Sequence, residues 1–211
     1  MLTTHHDGAC WRCAARTGLG PACLSCAAPQ PLDRDPDLFA VLGLSRRLTI
    51  PREALEERYL EASRLVHPDR HQTADEQTRA LSLTASAAVN QAYRTLRDPV
   101  ARGRYWLELH GESLGRDNNQ VPRGMASLVF ETQEVLESFR GGGTTREAVR
   151  AAHADLDERL RGLVCELGER YAAWDAADSA APDALQELKR RLSEIAYLGT
   201  LTEDVDEALG V

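Results

Sequence analysis

The sequence predicts an all-α protein whose helices follow a small metal-binding module. Three observations predict this fold class. From Pro36 onward, apolar residues recur at helical spacing, the apolar–polar alternation of strands is missing, and four of the five cysteines lie within the first 26 residues. The helical part is predicted to comprise a helical hairpin followed by a bundle of three helices.

Two CxxC pairs make up the N-terminal module, with nine residues between them that include Gly18, Gly20 and Pro21. Two such pairs can hold one Zn²⁺ in a tetrahedron of thiolates. Two disulfides are disfavoured in a reducing compartment, and a redox CxxC normally occurs once, at the start of a helix. We therefore predict a structural zinc site, without which so small a module would not fold. Its predicted ligands are Cys10, Cys13, Cys23 and Cys26. The isolated Cys165 is predicted to be a small core residue.

Composition limits the classes of partner. The 211 residues include 33 acidic and 25 basic side chains, for a net charge of −8, which disfavours nucleic acid as the main partner. No apolar run approaches the roughly 18 to 20 residues of a membrane-spanning helix. The N-terminus also lacks the pattern of a secretory signal or a basic presequence. The expected location is the cytoplasm, without a membrane partner.

Three helices are predicted in the first helical part: a short one at 36–42, one from Pro51 that stops at His67, and one at 74–97. Proline disfavours the helical conformation in the residue before it, which sets the end of the second helix. Each of the longer helices carries one apolar stripe. The stripes are Leu55, Tyr59, Ala62 and Val66 on the second helix, and Leu81, Ala85, Ala88, Ala92 and Leu96 on the third.

The connection of this hairpin contains the tripeptide His67-Pro68-Asp69. Proline and aspartate are common turn residues, so an ordinary turn is one interpretation. The position of the tripeptide between two amphipathic helices favours a second interpretation, that of an exposed contact site for a protein partner. Proline would stiffen the turn, and the Asp69 carboxylate would face a cationic partner, with positive charge around it. The residues predicted to contact this partner are His67, Pro68, Asp69, Arg58, Arg64 and Arg70.

Three further helices are predicted at 123–139, 144–176 and 182–209, after a polar connection. The middle helix carries a core seam of Leu156, Leu160, Leu163, Leu167 and Trp174. In the first of the three, the face that includes Leu128, Thr132, Val135 and Phe139 should point into the bundle. At about 100° per residue, Phe130 falls on the opposite side, and Tyr197 falls about half a turn from the buried face of the last helix. Either aromatic residue could be an isolated exposed side chain, or both could belong to a protein-binding patch.

The stretches 64–69, 88–99 and 104–111, together with the helical tail, resemble the HscB family, the J-protein co-chaperones of iron–sulfur cluster assembly. The double CxxC is similar to the zinc module of the longer, human-like members. The resemblance implies a J-domain that stimulates a DnaK/HscA-type ATPase, and a three-helix bundle that binds an IscU-type scaffold. The scaffold-binding positions that it implies are Ala126, Phe130, Glu131, Glu134 and Tyr197.

The predicted domains are a zinc module at 1–32, a J-domain at 33–110, a linker at 111–122 and an HscB-type bundle at 123–211. The predicted function is that of a co-chaperone without catalysis of its own, because no phosphate-binding glycine loop, GxSxG or metalloenzyme motif is present. One alternative is a J-domain adaptor that recruits the chaperone to a different client. Another is a zinc-dependent thiol oxidoreductase with a reactive Cys10 or Cys23.

Overall fold

The computed structural model describes residues 8–18, 20–114, 121–122 and 124–210. The all-α prediction is confirmed, because this described part contains seven α-helices, one short 3₁₀ turn and two isolated β-bridges, without a strand. The 3₁₀ turn is Pro68–His71, between the second and third helices. The helices are α1 (Leu38–Val41), α2 (Arg52–Val66), α3 (Glu76–Arg97), α4 (Pro99–Leu109), α5 (Ala126–Arg140), α6 (Arg146–Ala177) and α7 (Pro182–Leu209).

The chain divides into two compact units, one ending at Arg102 and the other beginning at Gly103. Residues 115–120 of the predicted linker lie outside the described part, as do residues 1–7 of the predicted zinc module. None of the described helices is both long enough and apolar enough to cross a bilayer.

Side-chain caps set where helices begin in the first unit. The carboxylate of Asp37 accepts a hydrogen bond from the amide of Phe39 at the start of α1, and Asp75 accepts one from Thr78 at the start of α3. Hydrogen bonds from the amide and hydroxyl of Thr78 hold the pKa of Asp75 below its usual value. Gly43 follows α1 with φ +63°, the left-handed conformation that ends many helices.

The two long helices of the first unit form the predicted hairpin. α2 and α3 pack against each other through the predicted stripes, of which Leu55, Ala62 and Val66 on α2 are buried. Tyr59 is only half-buried, and its ring stacks on that of Tyr93 on α3, with the ring centroids 4.2 Å apart. The connection between these helices is therefore fixed at its base by core packing.

Helix α4 was not predicted as a separate element. The Asp98-Pro99 pair does end α3, as expected, but it also starts α4: the Asp98 carboxylate accepts a hydrogen bond from the amide of Ala101. Proline suits the first turn of a helix because no hydrogen-bond partner is needed for its nitrogen there. One pair of residues thus gives both a stop and a start signal.

The second unit contains the three-helix bundle of α5, α6 and α7. Its core cluster consists of Leu136, Val149, Leu156, Leu198, Leu201, Val205 and Leu209, with Leu128, Val135, Phe139, Leu160, Leu163 and Tyr197 packed partly against it. Two expectations need correction. Cys165 is exposed on α6 rather than part of the core. Tyr197 is half-buried against the core cluster rather than directed outward.

Gly103 allows close packing in the second unit, and we expect Gly103→Ala to destabilise it. A Cβ at this position would overlap the hydroxyl oxygen of Tyr171, whose side chain is fully buried. Overpacking of this kind costs about 1 to 3 kcal/mol of unfolding free energy. Urea denaturation measures the loss. Gly168→Ala is the matched control, because the space around Gly168 in α6 is open and alanine favours a helix. Equal stability of the two variants would contradict this account.

Candidate functional site

Two successive hairpins present the four cysteines. In the first, an isolated β-bridge joins Ala9 to Arg16, and in the second, another joins Ala22 to Pro29. The indole nitrogen of Trp11, in the first hairpin, donates a hydrogen bond to the carbonyl oxygen of Pro29, at a distance of 2.7 Å. The two hairpins are thereby connected to each other.

The four sulfurs converge on one point. All four Sγ atoms lie within 4.8 Å of one another. The distance between the sulfurs of Cys10 and Cys26 is 3.7 Å, and that between Cys13 and Cys23 is 3.8 Å. Ligands about 2.3 Å from a tetrahedral zinc ion stand about 3.8 Å apart. The predicted ligand residues are therefore brought together, with spacing that fits one tetrahedral metal ion.

Backbone amides stabilise negative charge on two of the sulfurs. The amide of Arg12 donates to the sulfur of Cys10 at 3.3 Å, and the amide of Ser25 donates to that of Cys23 at 3.4 Å. The pKa of Cys23 is lowered, chiefly by a hydrogen bond from the amide of Cys26. Such amide donors favour the thiolate, which is the form that binds metal.

The other thiol pKa values show why four ionised sulfurs need a cation. Burial disfavours the Cys10 thiolate, but the amides of Cys13 and Arg12 outweigh that effect and lower the pKa of Cys10 to about 6. For Cys13, the amide of Ala15 favours the thiolate, but neighbouring sulfurs, foremost that of Cys26, raise the pKa to about 12. A bound divalent cation would replace the shared protons and allow all four thiolates to coexist.

Two features of the cysteine cluster were not predicted. The segments 9–15 and 22–28 share the repeat Ala-Cys-x-x-Cys-Ala-Ala, in which Ala14 and Ala27 adopt positive φ values of 59° and 56°. The repeat was available in the sequence. The second feature is Gln30, a buried side chain whose amide nitrogen donates to the sulfur of Cys10 at 3.3 Å. Such a partner orients a metal ligand, but only tertiary structure reveals it.

The His67-Pro68-Asp69 tripeptide forms an exposed turn between α2 and α3. His67 directly follows α2, and Pro68 and Asp69 begin the 3₁₀ turn. The Nδ1 atom of His67 accepts a hydrogen bond from the amide of Asp69 at 3.3 Å, so the neutral ring carries its proton on Nε2. The side chains of His67 and Asp69 are 54% and 74% exposed. An N–H donor and a carboxylate are thus available to a partner.

Charged and polar side chains near the turn were predicted in part. Arg64 and Arg70 are exposed, while Arg58 forms an ion pair with Glu61 at 3.2 Å. Gln72 was not predicted, and its amide donates to the Asp69 carboxylate at 3.0 Å. That bond orients the carboxylate within the turn.

The implied scaffold-binding residues lie on two helices. Ala126, Phe130 and Glu134, at intervals of four residues, share one exposed face of α5, next to the exposed Glu131. Phe130 is 69% exposed, so its predicted outward position is confirmed. Tyr197 lies on α7, partly buried as described above.

A cavity of 510 Å³ lies within the second unit. Leu163 and Leu198 contribute apolar surface, and Ser127, Glu131 and Glu166 contribute polar groups. Glu131 is exposed, Glu166 forms an ion pair with Arg191 at 3.6 Å, and Arg159 also lines the cavity. This cavity and the exposed face of α5 share residue Glu131.

The helical hairpin with an exposed His-Pro-Asp turn in its connection is the arrangement of J-protein co-chaperones. Sequence comparison with known proteins identifies the family within this class. The chain is 31% identical to the co-chaperone HscB homolog of Aromatoleum aromaticum over 179 residues, which cover 84% of the chain and 96% of the relative. It is 33% identical to the homolog of Bordetella avium over 142 residues, covering 67% and 84%. The chain belongs to the HscB family of co-chaperones.

Solved structures agree with this assignment. The crystal structure of human HscB matches 94% of the chain, and 97% of its own length, with a TM-score of 0.69 and 25% identity. The chaperone HscB from Vibrio cholerae matches 82% of the chain, and 99% of its own length, with a TM-score of 0.60 and 26% identity. No protein-family model matches the chain.

Proposed function

We propose that the chain stimulates ATP hydrolysis by a DnaK/HscA-type chaperone and delivers to it an IscU-type scaffold for iron–sulfur cluster transfer. The observation that carries the proposal is the exposed His67-Pro68-Asp69 turn in a chain of the HscB family. Hydrolysis takes place on the chaperone, so the chain itself needs no catalytic group. The cytoplasmic location stays a prediction.

The turn supplies complementary chemistry for a chaperone surface. The Asp69 carboxylate is an anion for a cationic group of the partner, and the Nε2 hydrogen of His67 is a donor for a carbonyl or carboxylate. Exposed arginines at positions 64 and 70 add positive charge on either side of the tripeptide. These arginines favour encounter with an acidic surface of the partner. Added salt should weaken this electrostatic attraction.

The exposed face of α5 is the proposed scaffold-binding surface. Phe130 offers the large apolar side chain that typically dominates the energy of an interface, and Glu131 and Glu134 surround it with negative charge. A scaffold surface with an apolar centre and basic residues around it would be complementary. The exposed part of Tyr197 on α7 is included in the proposal.

We further propose 33–110 as the J-domain, 111–122 as the linker and 123–211 as the scaffold-binding domain. The module at 1–32 is proposed to hold structural zinc, because its sulfurs have tetrahedral spacing and amide donors. Zinc suits four thiolates in a closed site without an open position for chemistry.

The purified, reduced protein is expected to carry about one zinc ion per chain. Cys10→Ser and Cys23→Ser should each abolish the bound zinc, because each removes one of four ligands. Metal analysis by mass spectrometry measures the content. Cys165→Ser is the matched control, since Cys165 is exposed on α6 and should leave zinc unchanged. Absence of zinc, visible iron–sulfur absorbance or rapid alkylation of Cys10 in the metal-loaded protein would contradict a structural zinc site.

Binding to two purified partners tests the proposed function. Titration calorimetry should detect association of the chain with a DnaK/HscA-type chaperone in its ATP state, and separately with an IscU-type scaffold. Association with the chaperone alone would instead support an adaptor for a different client. Association with neither protein would contradict the proposal.

A further inference from the structure

The end of α2 leaves carbonyl groups that the backbone does not satisfy. α2 ends at Val66 because Pro68 follows His67 and has no N–H group to donate. The amide of Asp69, which would reach the Leu65 carbonyl in a continuing helix, donates to Nδ1 of His67 instead. The amide of Arg70 likewise donates to the His67 carbonyl rather than to that of Val66.

Two side chains from outside α2 donate hydrogen bonds to these carbonyl oxygens. Nε2 of His71 lies 3.0 Å from the carbonyl oxygen of Leu65, and the hydroxyl of Ser82 donates to that of Val66 at 2.7 Å. His71 is 9% exposed and Ser82 is fully buried. A carbonyl oxygen only accepts, so the His71 ring must carry its proton on Nε2. His71 belongs to the 3₁₀ turn and Ser82 to α3, so the connection and α3 each donate a hydrogen bond to the end of α2.

We propose that His71 and Ser82 are positioning residues that hold the His67-Pro68-Asp69 turn in the conformation the chaperone binds. This inference rests on the proposed stimulation of a chaperone. Neither side chain needs to touch the partner. Because the carbonyl groups of Leu65 and Val66 immediately precede His67, losing either donor frees the turn to change its direction relative to α2.

The expected kinetic effect differs from that of changing the tripeptide. If only a fraction of the molecules holds the competent turn, apparent affinity falls by that fraction, while the saturated complex still forms. His71→Leu and Ser82→Ala should therefore raise the concentration needed for half-maximal ATPase stimulation about tenfold and retain most of the maximum. Variants of His67 or Asp69 should lose the maximum itself.

The experiment titrates each variant of the full chain into a DnaK-type chaperone and measures steady-state ATP hydrolysis well below the melting temperature. His71→Gln keeps a side-chain N–H donor and should recover part of the affinity that His71→Leu loses. Thr84→Val is the matched control for Ser82→Ala, because the Thr84 hydroxyl lies on the same helix but bonds to Ala80. It should behave as wild type.

Magnetic resonance gives a readout that does not depend on the chaperone. A long-range ¹H–¹⁵N correlation spectrum should show His71 protonated on Nε2. Wild-type half-maximal concentrations for both His71→Leu and Ser82→Ala, or a His71 ring protonated only on Nδ1, would overturn the inference. If the wild-type chain stimulates the chaperone and both variants stimulate it equally well, only the positioning role of His71 and Ser82 is refuted. If the wild-type chain does not stimulate the chaperone, the proposed function and this inference both fail.

Discussion

His67→Gln and Asp69→Asn proteins are expected to leave ATP hydrolysis by a DnaK-type chaperone at its unstimulated rate. The two substitutions remove the exposed imidazole and carboxylate, which are the groups that the turn offers to a partner. Steady-state turnover at increasing concentrations of each variant measures the effect, and no concentration should restore stimulation.

Folding should be nearly unaffected in these variants. Both side chains are more than half exposed, and substitutions of this kind usually cost less than about 0.5 kcal/mol of unfolding free energy. Circular dichroism and thermal melting check this. Asp155→Asn is the matched control for Asp69→Asn, because Asp155 is an exposed carboxylate on α6, far along the chain from the turn. If either turn variant stimulated as wild type does, the turn would not be the contact.

Phe130→Ala should weaken scaffold binding by about 2 kcal/mol or more, which is some thirtyfold in affinity. The ring is 69% exposed at the centre of the α5 face, so its removal costs interface area without opening a cavity in the bundle. Titration calorimetry with the purified scaffold measures the loss. The variant should still stimulate the chaperone by itself, but it should lose the additional turnover that the scaffold causes.

Two control variants sharpen this test. Leu24→Ala removes another exposed apolar side chain, in the metal module, and should leave scaffold affinity unchanged. Phe139→Ala should instead destabilise the bundle, because Phe139 packs against the core cluster. Unfolding of Phe130→Ala, or scaffold affinity equal to that of wild type, would contradict the proposed surface.

Charge at the same surface should matter in a salt-dependent way. Glu134→Lys places a cation on the exposed face of α5. This cation would face the basic residues that we propose on the scaffold protein. The resulting repulsion should weaken binding most at low ionic strength and least near 1 M salt, where the Debye length is about 3 Å. Calorimetric titrations at two salt concentrations measure the difference.

The angular position of a residue around its helix explains which predictions of side-chain exposure were correct and which were wrong. Phe130 was placed correctly because a well-defined apolar face of α5 lies opposite it. Tyr197 was not, because α7 packs against both α5 and α6, and burial on two sides widens its core face. Cys165 was predictable: two residues from the buried Leu167, it lies about 200° around the helix and hence away from the core.

Spacing in the sequence identified the four cysteines that cluster and the tripeptide that forms an exposed turn, whereas the residues that contact them depend on the fold. Gln30 reaches a sulfur 20 residues away in the chain, and Ser82 reaches a carbonyl 16 residues away. No local pattern signals such contacts. Sequence therefore predicted the groups that would meet a partner or a metal, and the structure adds the groups that hold them in place.

Single-turnover hydrolysis of ATP bound to a purified DnaK-type chaperone tests the central claim most directly. The wild-type chain should accelerate this hydrolysis, and addition of the scaffold should accelerate it further, while the His67→Gln chain should do neither. An unchanged hydrolysis rate in the presence of the folded, zinc-loaded wild-type chain would contradict the account.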